Sequence, residues 1–280
     1  MYKQIMAIGF ITILMVNTNF SRAAVDDNYR QRIHQQSQQA YGEDDIRAEI
    51  SLGREIAARI FGKYPRLDDQ ALTQYVTLVG KSLTLNSSRT ELEYHFAVLD
   101  TDQVNAYSAP GGYIFVTKGA LKLMGNEAEL AAVLAHEIAH VTERHIVKEL
   151  GIRSEDRSAT GSIGQILGGA GGSANIAFTQ LVDKATEILF ETGFHQQDEL
   201  DADRVGTLLL ATVGYDPLSL QHYLQKIHAH KDEYTQSINT THPPSQQRVN
   251  SLARLIQDEK LDKGEYSVVQ VRFAEHVSFN

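Results

Sequence analysis

The 280-residue sequence contains no cysteine. Disulfide bonds, a thiol nucleophile and thiolate metal sites are therefore excluded, and histidine and carboxylate side chains remain as the strong metal ligands. A basic stripe is also missing, because 26 Lys and Arg stand against 35 Asp and Glu and give a formal charge of −9. Without clustered positive charge to neutralise phosphates, nucleic acid is not an expected partner.

Long apolar runs are missing beyond the N-terminus. Residues 5–16 form a short apolar run after Lys3, and Ser21 and Ala23 place small residues at the −3 and −1 positions of a cleavage site. This pattern predicts a secretory signal peptide over residues 1–23, with an uncleaved membrane anchor as the alternative. No later segment approaches the ~18 continuous apolar residues of a membrane span. An exported chain without cysteine fits the bacterial periplasm, which is the expected location.

The rest of the chain predicts an α+β fold that is mainly helical. Residues 24–43 are polar and form a lead-in. Strand-forming side chains predict a sheet of about three strands over residues 94–99, 105–108 and 113–117, with a turn over 109–112. Apolar positions at helical spacing predict helices over residues 44–61, 70–85, 126–150, 176–191, 200–213 and 218–230.

Two segments have a different composition or period. Residues 151–175 are rich in Gly and Ser, which is typical of a flexible surface loop or of a mobile lid over an active site. Residues 266–273 alternate apolar and polar side chains and predict an edge strand. No repeat of ~34 residues is visible, so a domain of helical repeats is not expected.

A His-Glu-x-x-His motif at residues 136–140 is the strongest functional signal. Its predicted helix presents His136 and His140 one turn apart on one face, where two neutral imidazoles bind one zinc ion. Glu137 projects beside them and is placed to take a proton from a metal-bound water. The motif therefore predicts hydrolysis at neutral pH.

Catalytic zinc usually has three protein ligands, so one ligand must come from elsewhere in the chain. The acidic segment 198–203 opens a predicted helix and offers Glu199 as the best candidate. Asp203 lies one turn later on the same face, where it either accepts a hydrogen bond from a zinc-bound imidazole or acts as a proton donor. His95 lies in a predicted strand, and a lone histidine there is not expected to be a ligand.

Three motifs together resemble the M48 family of zinc metallopeptidases. They are the run from Asn105 to Gly112, the HEIAH motif and the pair Glu199-x-x-x-Asp203, and they occur in that order. The resemblance covers roughly residues 45–255. Within this family, the chain resembles the soluble periplasmic members that are similar to the bacterial protease maintaining outer-membrane assembly. The resemblance implies a gluzincin-type fold with a small sheet beside the HExxH helix.

The resemblance also implies a role for each motif residue. It implies Glu137 as the general base and one zinc ion per chain, bound by His136, His140 and Glu199. It further implies that one strand pairs with an extended substrate by β-augmentation, through Asn105, Ala106 and Tyr107.

A late His-Pro segment, residues 241–245, matches the family together with Arg248. On its residues alone this segment predicts only a turn. The resemblance implies that His242 either binds zinc in a latent enzyme or hydrogen-bonds the tetrahedral oxyanion. It implies that Arg248 holds either an acid or the charge of the transition state.

The expected function is an ATP-independent zinc endopeptidase with a gated active site, since no nucleotide motif is present. Its expected substrates are unfolded outer-membrane polypeptides, with the outer membrane or its assembly machinery as a further candidate partner. The alternative is a chaperone-like protein that holds such polypeptides in the same cleft with little proteolysis. The peptidase domain is expected over residues 44–260, followed by a strand and tail over 261–280.

Overall fold

The computed structural model describes residues 42–152, 172–230, 233–243 and 246–279. The predicted signal peptide, nearly all of the lead-in and most of the glycine-rich segment lie outside the described residues. Within the described ranges, no helix has the length and apolar character that crossing a bilayer requires. The helices and strands follow in the order α1 (Glu43–Lys63), α2 (Gln70–Thr84), β1 (His95–Leu99), β2 (Ala106–Ala109), β3 (Tyr113–Thr117), α3 (Lys118–Leu123), α4 (Glu127–Thr142), α5 (His145–Glu149), α6 (Gly172–Glu187), α7 (Gln196–Val213), α8 (Ser219–Ala229), α9 (Gln236–Thr241), α10 (Gln246–Asp258) and α11 (Gln270–His276).

The three strands form a mixed sheet in the order β1–β3–β2. Strand β3 is parallel to β1 and antiparallel to β2, with Phe115 opposite Tyr107. The turn between β2 and β3 contains Gly111, whose φ of 76° lies in the left-handed region. A Cβ at Gly111 would lie 2.7 Å from the Cα of Ile50, so glycine allows this turn to pack directly against α1.

Side chains of the sheet alternate between two apolar clusters. Val98 and Val116 contribute to a cluster shared with α2, α4 and α8, whereas Leu99 and Phe115 contribute to a second cluster with α1, α5 and α6. The strands are apolar along nearly their whole length because both faces are covered. The described residues form mainly helices and one three-stranded sheet, and α4, which carries the motif, packs beside β2 and β3. The predicted α+β fold class is therefore confirmed.

The packing of α4 against α7 positions the two halves of the motif site. Helix α4 is buried along its whole length. A Cβ at Gly206 of α7 would lie 2.9 Å from the backbone nitrogen of His136 and 3.0 Å from the carbonyl carbon of Ala135. Glycine therefore lets the two helices approach closely, and this approach brings the acids of α7 within reach of the histidines of α4.

Most predicted helices are present with ends shifted by up to four residues, but the helix predicted over 126–150 is broken at residues 143–144 into α4 and α5. Helix α4 ends at Thr142, and Arg144 takes a left-handed φ of 57° before α5 begins. The Arg144 Nε lies 3.0 Å from Oε2 of Glu49, which is buried in α1. A long-range ion pair thus accompanies the break, and no local sequence signal specifies it.

The edge strand predicted over residues 266–273 is also wrong. Ser267 forms an isolated bridge with Tyr215. The carbonyls of the next two residues, Val268 and Val269, point to the start of α4. The carbonyl of Val268 accepts a hydrogen bond from the Ala128 N–H, and the carbonyl of Val269 accepts one from the Glu127 N–H. Val268 and Val269 therefore satisfy open amides of a helix terminus, and the chain then enters α11.

Candidate metal and catalytic site

The two histidines of the motif face one another from α4. Asn126 begins this helix, because its Oδ1 accepts a hydrogen bond of 2.9 Å from the Glu129 N–H. One turn separates His136 from His140, and their Nε2 atoms are 3.1 Å apart. Both side chains are buried. Two imidazole nitrogens that converge at this distance form one side of a metal-binding cluster.

Helix α7 and the segment after α9 complete the cluster. Glu199 lies in the first turn of α7 and places Oε1 3.3 Å from His140 Nε2 and Oε2 3.6 Å from His136 Nε2. His242 follows α9 and places Nδ1 2.9 Å from Glu199 Oε1. These four buried side chains each bring one ligand atom within 4.8 Å of the others. The structure therefore brings together both motif histidines, Glu199 and His242.

The spacing of these atoms fits a small divalent cation. Ligands around a tetrahedral ion with bonds of ~2.0–2.1 Å lie about 3.3 Å apart. The separations of 3.1 Å between the two histidine Nε2 atoms and of 3.3 Å between His140 Nε2 and Glu199 Oε1 are close to this value. Imidazole nitrogen and carboxylate oxygen are both ligands of first-row divalent metals, so the donor chemistry fits as well.

The protonation states of His140 and Glu199 also favour a cation. Burial lowers the pKa of His140 to about 4, so the imidazole is neutral at pH 7 and has a free lone pair. Burial opposes ionisation of Glu199, but the charges of His242 and Arg248 outweigh it and hold the pKa of Glu199 well below its usual range. A neutral imidazole and an ionised carboxylate are the states that metal binding requires.

Arg248 joins the two acids of α7. Its Nε and Nη2 donate to the two carboxylate oxygens of Asp203 at 2.7 Å each, and its Nη1 lies 2.7 Å from Glu199 Oε2. Asp203 in turn places Oδ1 3.0 Å from Nδ1 of His136. Burial raises the pKa of Asp203, but the Arg248 charge more than offsets this and the net pKa is lowered. Asp203 thus lies behind His136, and Arg248 lies between the two acids.

Glu137 lies at the border between the metal cluster and a cavity. The cavity is small, about 20 Å³ in volume, and is also lined by His136, His242 and Arg248. Glu137 is 1% exposed, and its Oε2 has no hydrogen-bond partner among the described residues. A buried carboxylate oxygen without a partner is costly to keep in a fold. It is available to accept a proton next to the cluster.

The predicted substrate strand lies at the edge of the sheet beside this cavity. Asn105 and Ala106 line the cavity. The Asn105 amide donates to Oγ of Ser237 at 2.9 Å and to Oγ1 of Thr241 at 3.1 Å, so its side chain links β2 to the helix that precedes His242. Tyr107 is fully buried in the core. These side chains serve packing, and all four residues of β2 are buried.

One residue that sequence reasoning missed is His145. It is 1% exposed, and its Nδ1 lies 2.8 Å from Nδ1 of His140. In a continuous helix, residues five apart point about 140° away from one another, so the predicted helix over 126–150 separated the two rings. The left-handed Arg144 returns His145 towards the cluster. The sequence offered no signal beyond a further histidine close to the motif.

Comparison with known proteins agrees with this geometry. Residues 70–256 match the sequence model of the family described as Peptidase family M48. The beta-barrel assembly-enhancing protease of Escherichia coli (strain K12) is 30% identical over 214 residues, which cover 73% of this chain and 43% of that protein. The mitochondrial metalloendopeptidase OMA1 of Arabidopsis thaliana is 26% identical over 188 residues, which cover 67% of this chain and 37% of that protein.

A shorter relative, the metalloprotease YcaL of Escherichia coli (strain K12), is 26% identical over 205 residues, which cover 73% of this chain and 74% of that protein. The chain spans less than half the length of the assembly-enhancing proteases that it matches. The range matched by the family contains α4, α7 and the start of α10, which carry the motif, the two acids and Arg248. The chain belongs to peptidase family M48.

Proposed function

We propose that this protein is a zinc-dependent endopeptidase that hydrolyses peptide bonds of unfolded polypeptides without ATP. The observation that carries the proposal is the buried cluster of His136, His140, Glu199 and His242, with Glu137 in the adjoining cavity. When bound, zinc supplies a Lewis acid and lowers the pKa of a water molecule that it holds. Membership of peptidase family M48 supports the same activity.

The side chains around the cluster divide the work of hydrolysis. Glu137, with an unpartnered carboxylate oxygen, accepts the proton of the attacking water and passes it to the leaving amine. The Asp203 carboxylate, with Oδ1 3.0 Å from Nδ1 of His136, favours the tautomer with the proton on Nδ1 and so directs the Nε2 lone pair of that ring into the cluster. Arg248 neutralises the acids of α7 and holds them in position.

The cavity and the neighbouring strand support a polypeptide as the substrate. The wall of the cavity is mainly apolar, since it is formed by Val133, Leu220, Leu224, Ile227 and Ile238. Strand β2 is the edge strand of the sheet, and an extended chain that reached its buried backbone would pair with it there. Exposed apolar side chains and an extended backbone are both features of an unfolded polypeptide.

Unfolded outer-membrane proteins in the periplasm are the proposed substrates. The predicted signal peptide supports export, and the name of the Escherichia coli relative connects that protein to the assembly of β-barrels. The outer membrane or its assembly machinery is the corresponding proposed partner. Residues 44–260 are the proposed peptidase domain, and the packing of α1 on one face of the sheet supports including that helix.

His242 supports a latent resting state. Its ring supplies a fourth protein ligand atom to the cluster, and its carbonyl accepts a hydrogen bond of 3.2 Å from Arg248 Nη1. Zinc with four protein ligands has no open position for water, which is characteristic of structural and not of catalytic sites. Replacement of His242 by Ala is expected to increase cleavage. A loss of cleavage would contradict latency and favour stabilisation of the oxyanion by His242.

The test of the peptidase proposal is cleavage of an unfolded polypeptide, with and without a chelator. Glu137→Gln is expected to lower the cleavage rate about 100-fold or more while zinc content stays at the parent level. Glu143→Gln is the matched control, because Glu143 lies at the end of the same helix and outside the cluster. Cleavage that resists the chelator, or a Glu137→Gln variant with parental activity, would refute the assignment.

A second candidate function is chaperone-like binding, and the closed cluster beside an apolar cavity favours it. In this case the zinc-loaded Glu137→Gln variant should still suppress aggregation of an unfolded outer-membrane protein as well as the parent does. Light scattering during refolding measures this effect. A variant that neither cleaves nor suppresses aggregation would remove this second function.

A further inference from the structure

His145 is a buried imidazole that the proposed hydrolysis does not use. Its Nδ1 lies 2.8 Å from Nδ1 of His140, and its Nε2 lies 3.6 Å from Oδ1 of Asp198. We propose that His145 is a positioning residue that fixes the tautomer and the ring orientation of His140 for metal binding. The inference rests on the metal site of the proposed function. Its test is the affinity of the chain for zinc and not the cleavage of a polypeptide.

The direction of the hydrogen bonds follows from the geometry. His140 Nε2 faces the cluster, 3.1 Å from His136 Nε2 and 3.3 Å from Glu199 Oε1, so Nε2 is the ligand atom. A ligating nitrogen of a neutral imidazole carries no proton, and the proton of His140 therefore resides on Nδ1. This N–H donates to Nδ1 of His145. The proton of His145 is then on Nε2, the nitrogen that lies nearest to Asp198.

A neutral acceptor suits this position because the site already contains several charges. His136 has a carboxylate partner, Asp203, and a single guanidinium, that of Arg248, already contacts both Asp203 and Glu199. A carboxylate in place of His145 would add a further buried negative charge without an arginine to match it, which is costly. An imidazole provides the acceptor without adding charge. The two ligand histidines thus have partners of different chemistry.

The surrounding fold holds the two rings in this relation. Phe194 stacks on His140 with ring centroids 4.1 Å apart and planes 23° apart, so one face of the ligand ring is fixed. His145 meets His140 nearly at a right angle, with planes 77° apart. The left-handed Arg144 and its ion pair with Glu49 set the direction in which α5 leaves the cluster. The contact is therefore built from three separate segments of the chain.

Two substitutions of His145 separate positioning from packing. His145→Asn retains an acceptor oxygen close to the place of Nδ1, whereas His145→Phe retains a ring and removes the acceptor. The zinc Kd of the full chain is measured by competition with a chromophoric chelator. The Phe variant is expected to bind zinc about 10- to 100-fold more weakly than the parent, and the Asn variant within about 3-fold of it. His222→Phe, an exposed histidine of α8, is the matched control and should leave the Kd unchanged.

A spectroscopic measurement reads the hydrogen bond itself. In the cobalt-substituted protein, the Nδ1–H proton of His140 should give a shifted resonance that persists in the parent and in the Asn variant. It should disappear in the Phe variant by exchange with water. Urea unfolding of each metal-free variant shows how much of a change in Kd comes from the fold.

The outcomes distinguish this inference from the proposed function. A His145→Phe variant that binds zinc with parental affinity, or Asn and Phe variants that lose affinity equally, would overturn the positioning role. A chain that binds zinc in this pattern but cleaves no polypeptide, either as the parent or as the His242→Ala variant, would overturn the peptidase proposal alone.

Discussion

Arg248 offers the most direct test of how the site is held together, because two buried carboxylates depend on it. It makes two hydrogen bonds of 2.7 Å to Asp203 and lies 2.7 Å from Glu199, and each of these side chains is at most 3% exposed. Replacement by Leu leaves both carboxylates in a buried environment without their guanidinium partner. Breaking a buried pair in this way costs about 3–5 kcal/mol.

The free energy of unfolding of metal-free Arg248→Leu should therefore fall by about 3–5 kcal/mol at pH 7. The deficit should shrink as the pH is lowered. Arg248 lowers the pKa of Asp203 and Glu199, so without it both groups take up protons more readily and relieve the unpaired charge. Bound zinc should also reduce the deficit, because the cation neutralises Glu199 but not Asp203.

Urea unfolding followed by circular dichroism, in the presence of a chelator, measures this effect. Arg254→Leu is the matched control, because Arg254 is exposed on the same helix and its replacement should change stability by no more than ~0.5 kcal/mol. Arg248→Lys should be intermediate, since an ammonium retains the charge but not the two-pronged geometry. If Arg248→Leu and Arg254→Leu differ by less than ~1 kcal/mol, the buried ion pairs do not stabilise the site as argued.

Three other perturbations test packing, charge and metal. Gly206→Ala should be less stable than Gly62→Ala by roughly 1–3 kcal/mol. A Cβ at Gly206 would meet the backbone of α4, whereas a Cβ at Gly62 would meet nothing within 4 Å. Equal stabilities of the two variants would contradict the close approach of α4 and α7. The metal-free protein should lose up to about 3 kcal/mol of stability from pH 6.5 to 4 through His140 alone. The pKa of His140 in the fold, about 4, lies below its ordinary value, so over this range the unfolded chain takes up a proton that the folded chain does not. Urea midpoints that do not change with pH would count against this. Zinc at 100 times its Kd should raise the free energy of unfolding of the parent by about 2.7 kcal/mol, and His136→Ala should abolish this increase. An unchanged increase in that variant would place the ion elsewhere.

Helix and strand positions were predictable wherever local pattern decides them. The apolar spacing of α1, α2, α7 and α8 and the strand-forming runs before the motif are properties of short segments, and the structure contains each of these elements. The residues named from the sequence as metal ligands and as the general base also meet in one place. Helical spacing puts His136 and His140 on one face of α4. It also puts Glu199 and Asp203, four residues apart, on one face of α7.

Elements stabilised by distant partners were not predictable in the same way. The break after Thr142 accompanies an ion pair between Arg144 and Glu49 of α1, so the local pattern alone continued the helix. The alternating residues near Ser267 satisfy open amides at the start of α4 and do not pair with the sheet. In both places the local residues are compatible with more than one structure, and contacts with remote segments select one of them.

By itself, the sequence determined the chemistry of the site. The absence of cysteine restricted its ligands to histidine and carboxylate, and the HExxH spacing placed two imidazoles and an acid on one helix. Tertiary structure decided how that chemistry is held. The closeness of α4 and α7 at Gly206, the position of Arg248 between two acids and the contact between His140 and His145 all join segments far apart in the chain. Side-chain spacing along one element is a local property, whereas distances between elements exist only once the core has packed.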